Sequence, residues 1–90
     1  MAYDYRVSSN AIRRIQEAAA YLEEQRSGFA FEFNPELQEC FDLLCRHPES
    51  GQLLYENRRR AYLMRFKYHV IYSVHPDRQE IVIHTVVHHS

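Results

Sequence analysis

The sequence predicts an α+β domain of order β-α-α-β-β-β, in which a twisted antiparallel sheet carries a helical hairpin on one face. Three observations predict it. Residues 10–25 and 29–46 each repeat apolar side chains at helical spacing, and only Arg26-Ser27-Gly28 separates the two patterns. Residues 58–74 alternate apolar and polar side chains and end in a β-branched and aromatic run, the composition of strands. Residues 81–87 are apolar on both faces, as a covered central strand requires.

In chain order, Tyr3, Tyr5 and Val7 alternate with Asp4 and Arg6 in a short first strand. Ser8-Ser9-Asn10 then offers side-chain oxygens for the free amides of a first helical turn. Ile12, Ile15, Ala19 and Leu22 give that helix its apolar face, and Gly28 allows the left-handed conformation that ends it. Phe33, Leu37, Phe41 and Leu44, with Cys40 beside them, form the stripe of the second helix. Pro35 leaves two readings of its start: Asn34 as cap with Pro35 in the first turn, or a helix from Phe29 kinked at Pro35. His47-Pro48-Glu49-Ser50-Gly51 is a stop and turn, and residues 52–57 form a connection without an assigned structure. Residues 58–74 exceed the length of one strand and fold as a hairpin pivoting at Phe66-Lys67-Tyr68. Before the pivot Tyr62, Met64 and Phe66 share one face and Leu63, Arg65 and Lys67 the other; one face lies in a core, and the opposite one carries basic and imidazole groups. His75-Pro76-Asp77-Arg78-Gln79 is a turn before the last strand.

Ninety residues make one domain, 1–90. No apolar run approaches the ~20 residues of a membrane span, and the first residues lack the basic and apolar regions of a signal peptide, so the expected compartment is the cytoplasm. Cys40 and Cys45 lie five apart in a helical pattern, which suits core thiols better than a disulfide or metal pair. The net charge of −1 is unevenly spread: nine acids and five arginines leave residues 1–50 at −4, and six basic residues against three acids leave residues 51–90 at +3. Five of the six histidines also fall in the second half. Such a weak basic excess suits an anionic partner surface but implies little direct DNA binding.

Several pieces, in order, carry a family resemblance. They are the Ala- and Leu-rich first helix, Ser27-Gly28-Phe29, Leu44 followed by His47-Pro48 and Gly51, and Arg60. The block Arg65-Phe66-Lys67-Tyr68-His69-Val70-Ile71-Tyr72 follows, then Ile81-Val82-Ile83 and Val87-His88. Together they resemble the ParE/RelE superfamily of type II toxin–antitoxin toxins, also known as plasmid stabilisation proteins, over almost the whole length. The block is similar to the Phe-Pro-Tyr-x-Ile-x-Tyr signature of ParE-like members, with Lys67 where relatives often carry proline. The resemblance implies a small bacterial toxin neutralised by a co-encoded ParD- or RelB-like antitoxin, and no cofactor. ParE members poison DNA gyrase and need only a binding surface; RelE and YoeB members cut mRNA on the ribosome without a metal. The ParE-like reading is favoured, with a nuclease or a non-toxic, antitoxin-binding member as alternatives.

A nuclease must activate a ribose 2′-hydroxyl, stabilise the phosphorane with cations and protonate the leaving oxygen. The residue types available for this are Glu56, Arg65, Lys67, His69, His88 and His89. Glu56 matches the family's catalytic glutamate only loosely, His89 is similar to the near-terminal histidine of YoeB-like toxins, His69 stands where those toxins carry arginine, and Ser90 replaces their terminal tyrosine. Arg58, Arg59, Arg60, Arg65 and Lys67 are the expected target- or anion-binding residues, with a solvated charge run as the plainer reading of the first three. Tyr62, Phe66 and Tyr72 are read as packing residues, His84 as a hydrogen-bonded structural residue, and His69 and His75 as surface residues. Two histidines at 88 and 89, without carboxylates or thiolates, make a poor metal site. Tyr21, Phe29 and Phe31 are the expected exposed apolar contacts for an antitoxin.

Overall fold

A computed structural model describes residues 2–89; Met1 and Ser90, the position compared above with a terminal tyrosine, lie outside the described residues. The chain forms β1 (Asp4–Val7), α1 (Ser9–Gln25), α2 (Phe29–Arg46), β2 (Gln52–Tyr55), β3 (Arg58–Tyr62), β4 (Tyr68–His75) and β5 (Glu80–His88). Five strands make one sheet in the order β1-β5-β4-β3-β2. The sheet is mixed: β2, β3, β4 and β5 pair antiparallel, whereas β1 lies parallel to β5 with Tyr5 opposite Ile81 and Val7 opposite Ile83. The helical hairpin lies between β1 and the rest of the sheet in sequence, and it packs on one face, so β1 adds at the edge with no direct turn to its partner. The unassigned connection is β2 and its turn to β3, with Glu56 at φ 47 in the left-handed region.

Ser8 caps α1: its Oγ accepts from Ala11 N–H at 3.1 Å and donates to the His84 carbonyl at 3.1 Å. Asn10 donates to that same carbonyl at 3.1 Å. The carbonyl is free because β5 bulges there: Thr85 pairs with Ile71 and Ile83 with Tyr72, leaving His84 as the extra residue. Gly28 takes φ 92 between the helices, and the Glu23 carboxylate accepts from Gly28 N–H at 2.9 Å and Ala30 N–H at 3.2 Å, capping α2 from α1. The helix α2 starts at Phe29 and continues through Pro35, with Gly28 rather than Asn34 at its cap. Phe31, whose carbonyl would have received the missing N–H, is 84% exposed.

Phe33, Leu37, Phe41 and Leu44 are buried, as their stripe requires, against Tyr68, Val70, Tyr72, Val74, Ile81, Ile83 and Val86 from the sheet. Phe33 sets its ring edge-on to Phe66 at 5.3 Å and tilted to Tyr68 at 5.4 Å. Two expectations about the hairpin change. β3 stops at Tyr62, and the alternation breaks in the connection: Leu63 and Phe66 turn inward while Met64 is 94% exposed. Tyr62 pairs with His69 on the face turned away from the helices, so Tyr62, Met64 and Phe66 do not share a core face. His69 is not a surface residue; at 8% exposure it is covered by Tyr62 and His89.

Candidate functional site

Alternation along β3 and β4, interrupted on β5 only by the bulge at His84, gives the sheet a second, open face. Direct partners point the same way, so Arg58, Arg60 and Tyr62 stand with Ser73, Ile71 and His69 on that face. Arg59 and Ala61 point to the helix side with Tyr72 and Val70. Arg59 is held there: its Nη1 donates to the Gly51 carbonyl at 2.8 Å and the Glu49 carbonyl at 3.1 Å. The arginine run therefore divides, with Arg59 clamping the turn before β2 and Arg58 and Arg60 facing outward.

At one end of the open face, Tyr62 sets its ring edge against those of His69 and His89, with centroids at 5.4 and 5.1 Å. The two imidazoles lie near-parallel, and their Nδ1 atoms are 3.3 Å apart. His89 is fixed by its backbone N–H, which donates to the Lys67 carbonyl at 2.9 Å. The Arg60 guanidinium lies 5.5 Å from the Tyr62 ring centre, donates to Gln52 Oε1 at 3.4 Å, and keeps its Nε buried without a partner among the described residues. Burial lowers the His69 pKa from its ordinary value, and the charges of Arg60 and His89 add to that. Toward the middle of the face, Ser73 Oγ bridges His75 Nε2 at 2.8 Å and His84 Nε2 at 2.7 Å, which makes His84 hydrogen-bonded in mid-strand. Burial also lowers the His84 pKa, with Arg58 next in effect.

The other residues named from the sequence lie apart from this end. Glu56 is exposed in the β2–β3 turn, beyond Arg58 and hence at the far end of β3 from Tyr62. Four residues of strand from Arg58 to Tyr62 span about 13 Å. Arg65 leaves the sheet and pairs with Glu32 and Glu36 of α2. Lys67 is exposed in the β3–β4 connection. The exposed His88 sets its ring edge against Tyr21 and Tyr68 on the helix side, the latter centroid 5.0 Å away. Among the described residues, no three or more His, Cys, Asp or Glu side chains gather as a metal cluster.

Tyr21 is 49% exposed on α1 and Phe31 stands out from α2. Phe29 is half-buried between the Arg26 guanidinium, 4.1 Å from its ring centre, and the edge of Phe66. A groove of about 710 Å³, unforeseen in the sequence, runs between α2 and β3. Leu43, Leu63 and Met64 supply its apolar part, Glu36, Glu39 and Asp42 its acidic part. The signal was present in Leu43, which lies off the core stripe of α2, and in Met64, which lies past the end of β3.

The sequence from residue 5 to residue 90 matches the family described as ParE toxin of type II toxin-antitoxin system, parDE. The chain belongs to the ParE toxin family. Solved relatives share its fold. The chromosomal ParDE system of P. aeruginosa contains a chain with a TM-score of 0.83 at 13% identity, covering 99% of this chain and 98% of that one. The isolated E. coli RelE toxin gives 0.70 at 15% identity, covering 99% and 86%. A RelBE toxin–antitoxin complex from Mycobacterium tuberculosis gives 0.64 at 20% identity, covering 99% and 100%. No curated protein matches significantly. This member of the ParE family of type II toxins is built on two helices and a five-stranded mixed sheet, a fold it shares with RelE. Among its described residues no helix is long and apolar enough to cross a membrane.

Proposed function

We propose that this toxin acts in the bacterial cytoplasm by inhibiting DNA gyrase through a binding surface, without catalysing a reaction. The observation that carries the reading is the dispersal of the groups that acid–base cleavage of RNA would use. Glu56 lies at the far end of β3 from His69 and His89, and Arg65 is engaged by two carboxylates of α2. A general base and acid must both reach the same scissile linkage, so separation along the strand counts against that pairing. Arg58 and Arg60 on the open face and Lys67 beside it are the proposed target-binding cations. The close approach of His69 and His89 beside Arg60 favours the second reading, a ribosome-dependent nuclease, in which those three residues would act without Glu56.

The co-encoded antitoxin is proposed to cover Tyr21 and Phe31, large apolar side chains left in water, together with the half-buried Phe29 of the same hairpin, since exposed apolar surface marks a partner site. RelBE relatives were solved as toxin–antitoxin complexes, which supports a partner of that kind. The test is incorporation of labelled thymidine and labelled methionine within minutes of induction in bacteria, followed by a supercoiling assay with purified gyrase. DNA synthesis failing first, with Glu56→Gln as toxic as the parent chain, supports the gyrase reading. Translation failing first, with toxicity lost in His89→Gln, replaces it with the nuclease reading.

A further inference from the structure

We propose that His69 and His89 form a two-imidazole chelate for zinc at the end of the open sheet face. The geometry comes first. Zinc binds imidazole nitrogen at ~2.0–2.1 Å in tetrahedral sites, which sets two donors ~3.3–3.4 Å apart. A square-planar ion with similar bond lengths would need them closer, at ~2.8–2.9 Å. The two Nδ1 atoms here are 3.3 Å apart. Both ligands are also held before any ion arrives. His69 sits within β4, paired to Tyr62 on one side and Val87 on the other, and His89 is tied by its N–H to the Lys67 carbonyl at 2.9 Å. The Tyr62 ring backs both imidazoles, so neither rotates freely.

The protonation states suit the ligand role. Without a metal, one hydrogen bond can join the facing Nδ1 atoms, in the direction that the ring tautomers set. With zinc between them, each ring keeps its proton on Nε2 and offers the Nδ1 lone pair. Burial and Arg60 both favour the neutral form of His69, which is the form that binds a metal. Arg60 also constrains the rest of the shell. Its charge opposes a bare dication, so the positions opposite the imidazoles favour anionic oxygen, such as hydroxide, phosphate or a carboxylate. Two protein ligands leave those positions open, as in an exchangeable site rather than a closed structural one. His88 takes no part, because its ring lies against Tyr21 and Tyr68 on the other side of the sheet.

The experiment is zinc titration of the full chain, followed by calorimetry and by long-range proton–nitrogen spectra of the histidine rings. The expected result is one zinc per chain with the Nδ1 signals of His69 and His89 moving together. His89→Gln and His69→Gln should each weaken binding by ~100-fold, the gain from joining two binding groups on one frame, while His88→Gln leaves it unchanged. His89 lies past the end of β5, so its variant keeps the test interpretable if His69→Gln unfolds. Zinc binding that survives His89→Gln, that moves only His88 or Nε2 signals, or that is absent at millimolar zinc overturns the proposal.

Discussion

Removing one oxygen from Tyr72 should unfasten the turn that positions the arginine strand. Tyr72 is among the most deeply buried side chains, and its hydroxyl does two things at once. It donates to the Pro48 carbonyl at 2.8 Å and accepts from the buried Gly51 N–H at 3.0 Å. Tyr72→Phe keeps the ring and strands that N–H, at a cost of about 1–3 kcal/mol for a buried donor left unpaired. Taking ~2 kcal/mol, and a urea slope near ~1 kcal/mol per molar for so small a chain, the unfolding midpoint should fall by roughly 2 M with the slope unchanged. The matching loss in Tm is roughly 8–16 °C. The site is also tight from the other side, since a Cβ at residue 51 would lie 2.5 Å from Tyr72 Oη and 2.8 Å from the Arg60 carbonyl. Gly51→Ala should therefore cost about 1–3 kcal/mol by overpacking. In the double variant the Oη clash disappears but those with the ring's Cε1 and the Arg60 carbonyl, both at 2.8 Å, stay, so the combined penalty should be less than the sum of the separate ones. A Tyr72→Phe loss below ~0.5 kcal/mol, or strict additivity of the pair, would refute the argument that this hydroxyl holds residues 48–51 in place.

Three further outcomes follow from the packing and the charges. Phe33→Ala removes a wholly buried ring from between Phe66 and Tyr68 and should cost about 3–5 kcal/mol, read by chemical denaturation or, if the chain no longer folds, by loss of near-ultraviolet dichroism. Arg65→Ala breaks pairs with Glu32 and Glu36 whose arginine is largely in solvent, so the same assay should show a loss under about 1 kcal/mol. Acid should destabilise the fold in two stages. His69 and His84 have pKa values below their ordinary 6.5 in the folded chain, so the unfolded chain binds more protons and stability declines as pH falls below 6.5. Glu23 and Glu32 are lowered from 4.5, chiefly by the Gly28 N–H and by Arg65 respectively, and their contribution is lost as pH falls below 4.5. Melting curves from pH 8 to pH 3 check both stages, and His84→Gln should flatten the first.

The helices were legible because their signals are local. Phe33, Leu37, Phe41 and Leu44 declare a buried stripe by spacing alone, and a serine before an apolar period declares a cap. What was not legible depends on pairing between distant residues. Nothing within residues 4–7 says that they lie parallel to residues 80–83, and Gln52-Leu53-Leu54-Tyr55 has no alternation because it forms a sheet edge with both leucines away from the tightest packing. His69 looked like a surface residue because its cover comes from Tyr62 and His89, seven and twenty residues away, through a register no local pattern sets. Arg58, Arg59 and Arg60 looked like one charge cluster; the pleat of β3 splits them between two faces with different work.

That split has a consequence for separating stability from function. On β4, residues 68, 70, 72 and 74 face the helices and carry the core, whereas 69, 71, 73 and 75 face the open side. Substitutions on the second set should change what the toxin binds while sparing the helix packing. His84 is the position where the division is least complete. Its side chain reaches Ser73 on the open face, while its carbonyl, freed by the bulge, receives Ser8 and Asn10 at the start of α1. A side-chain replacement there removes only the first of these links, because the carbonyl belongs to the backbone. The acid sensitivity of His84 and the capping of α1 are therefore separable by mutation, whereas deleting residue 84 would remove the bulge and loosen the helix and the open face together.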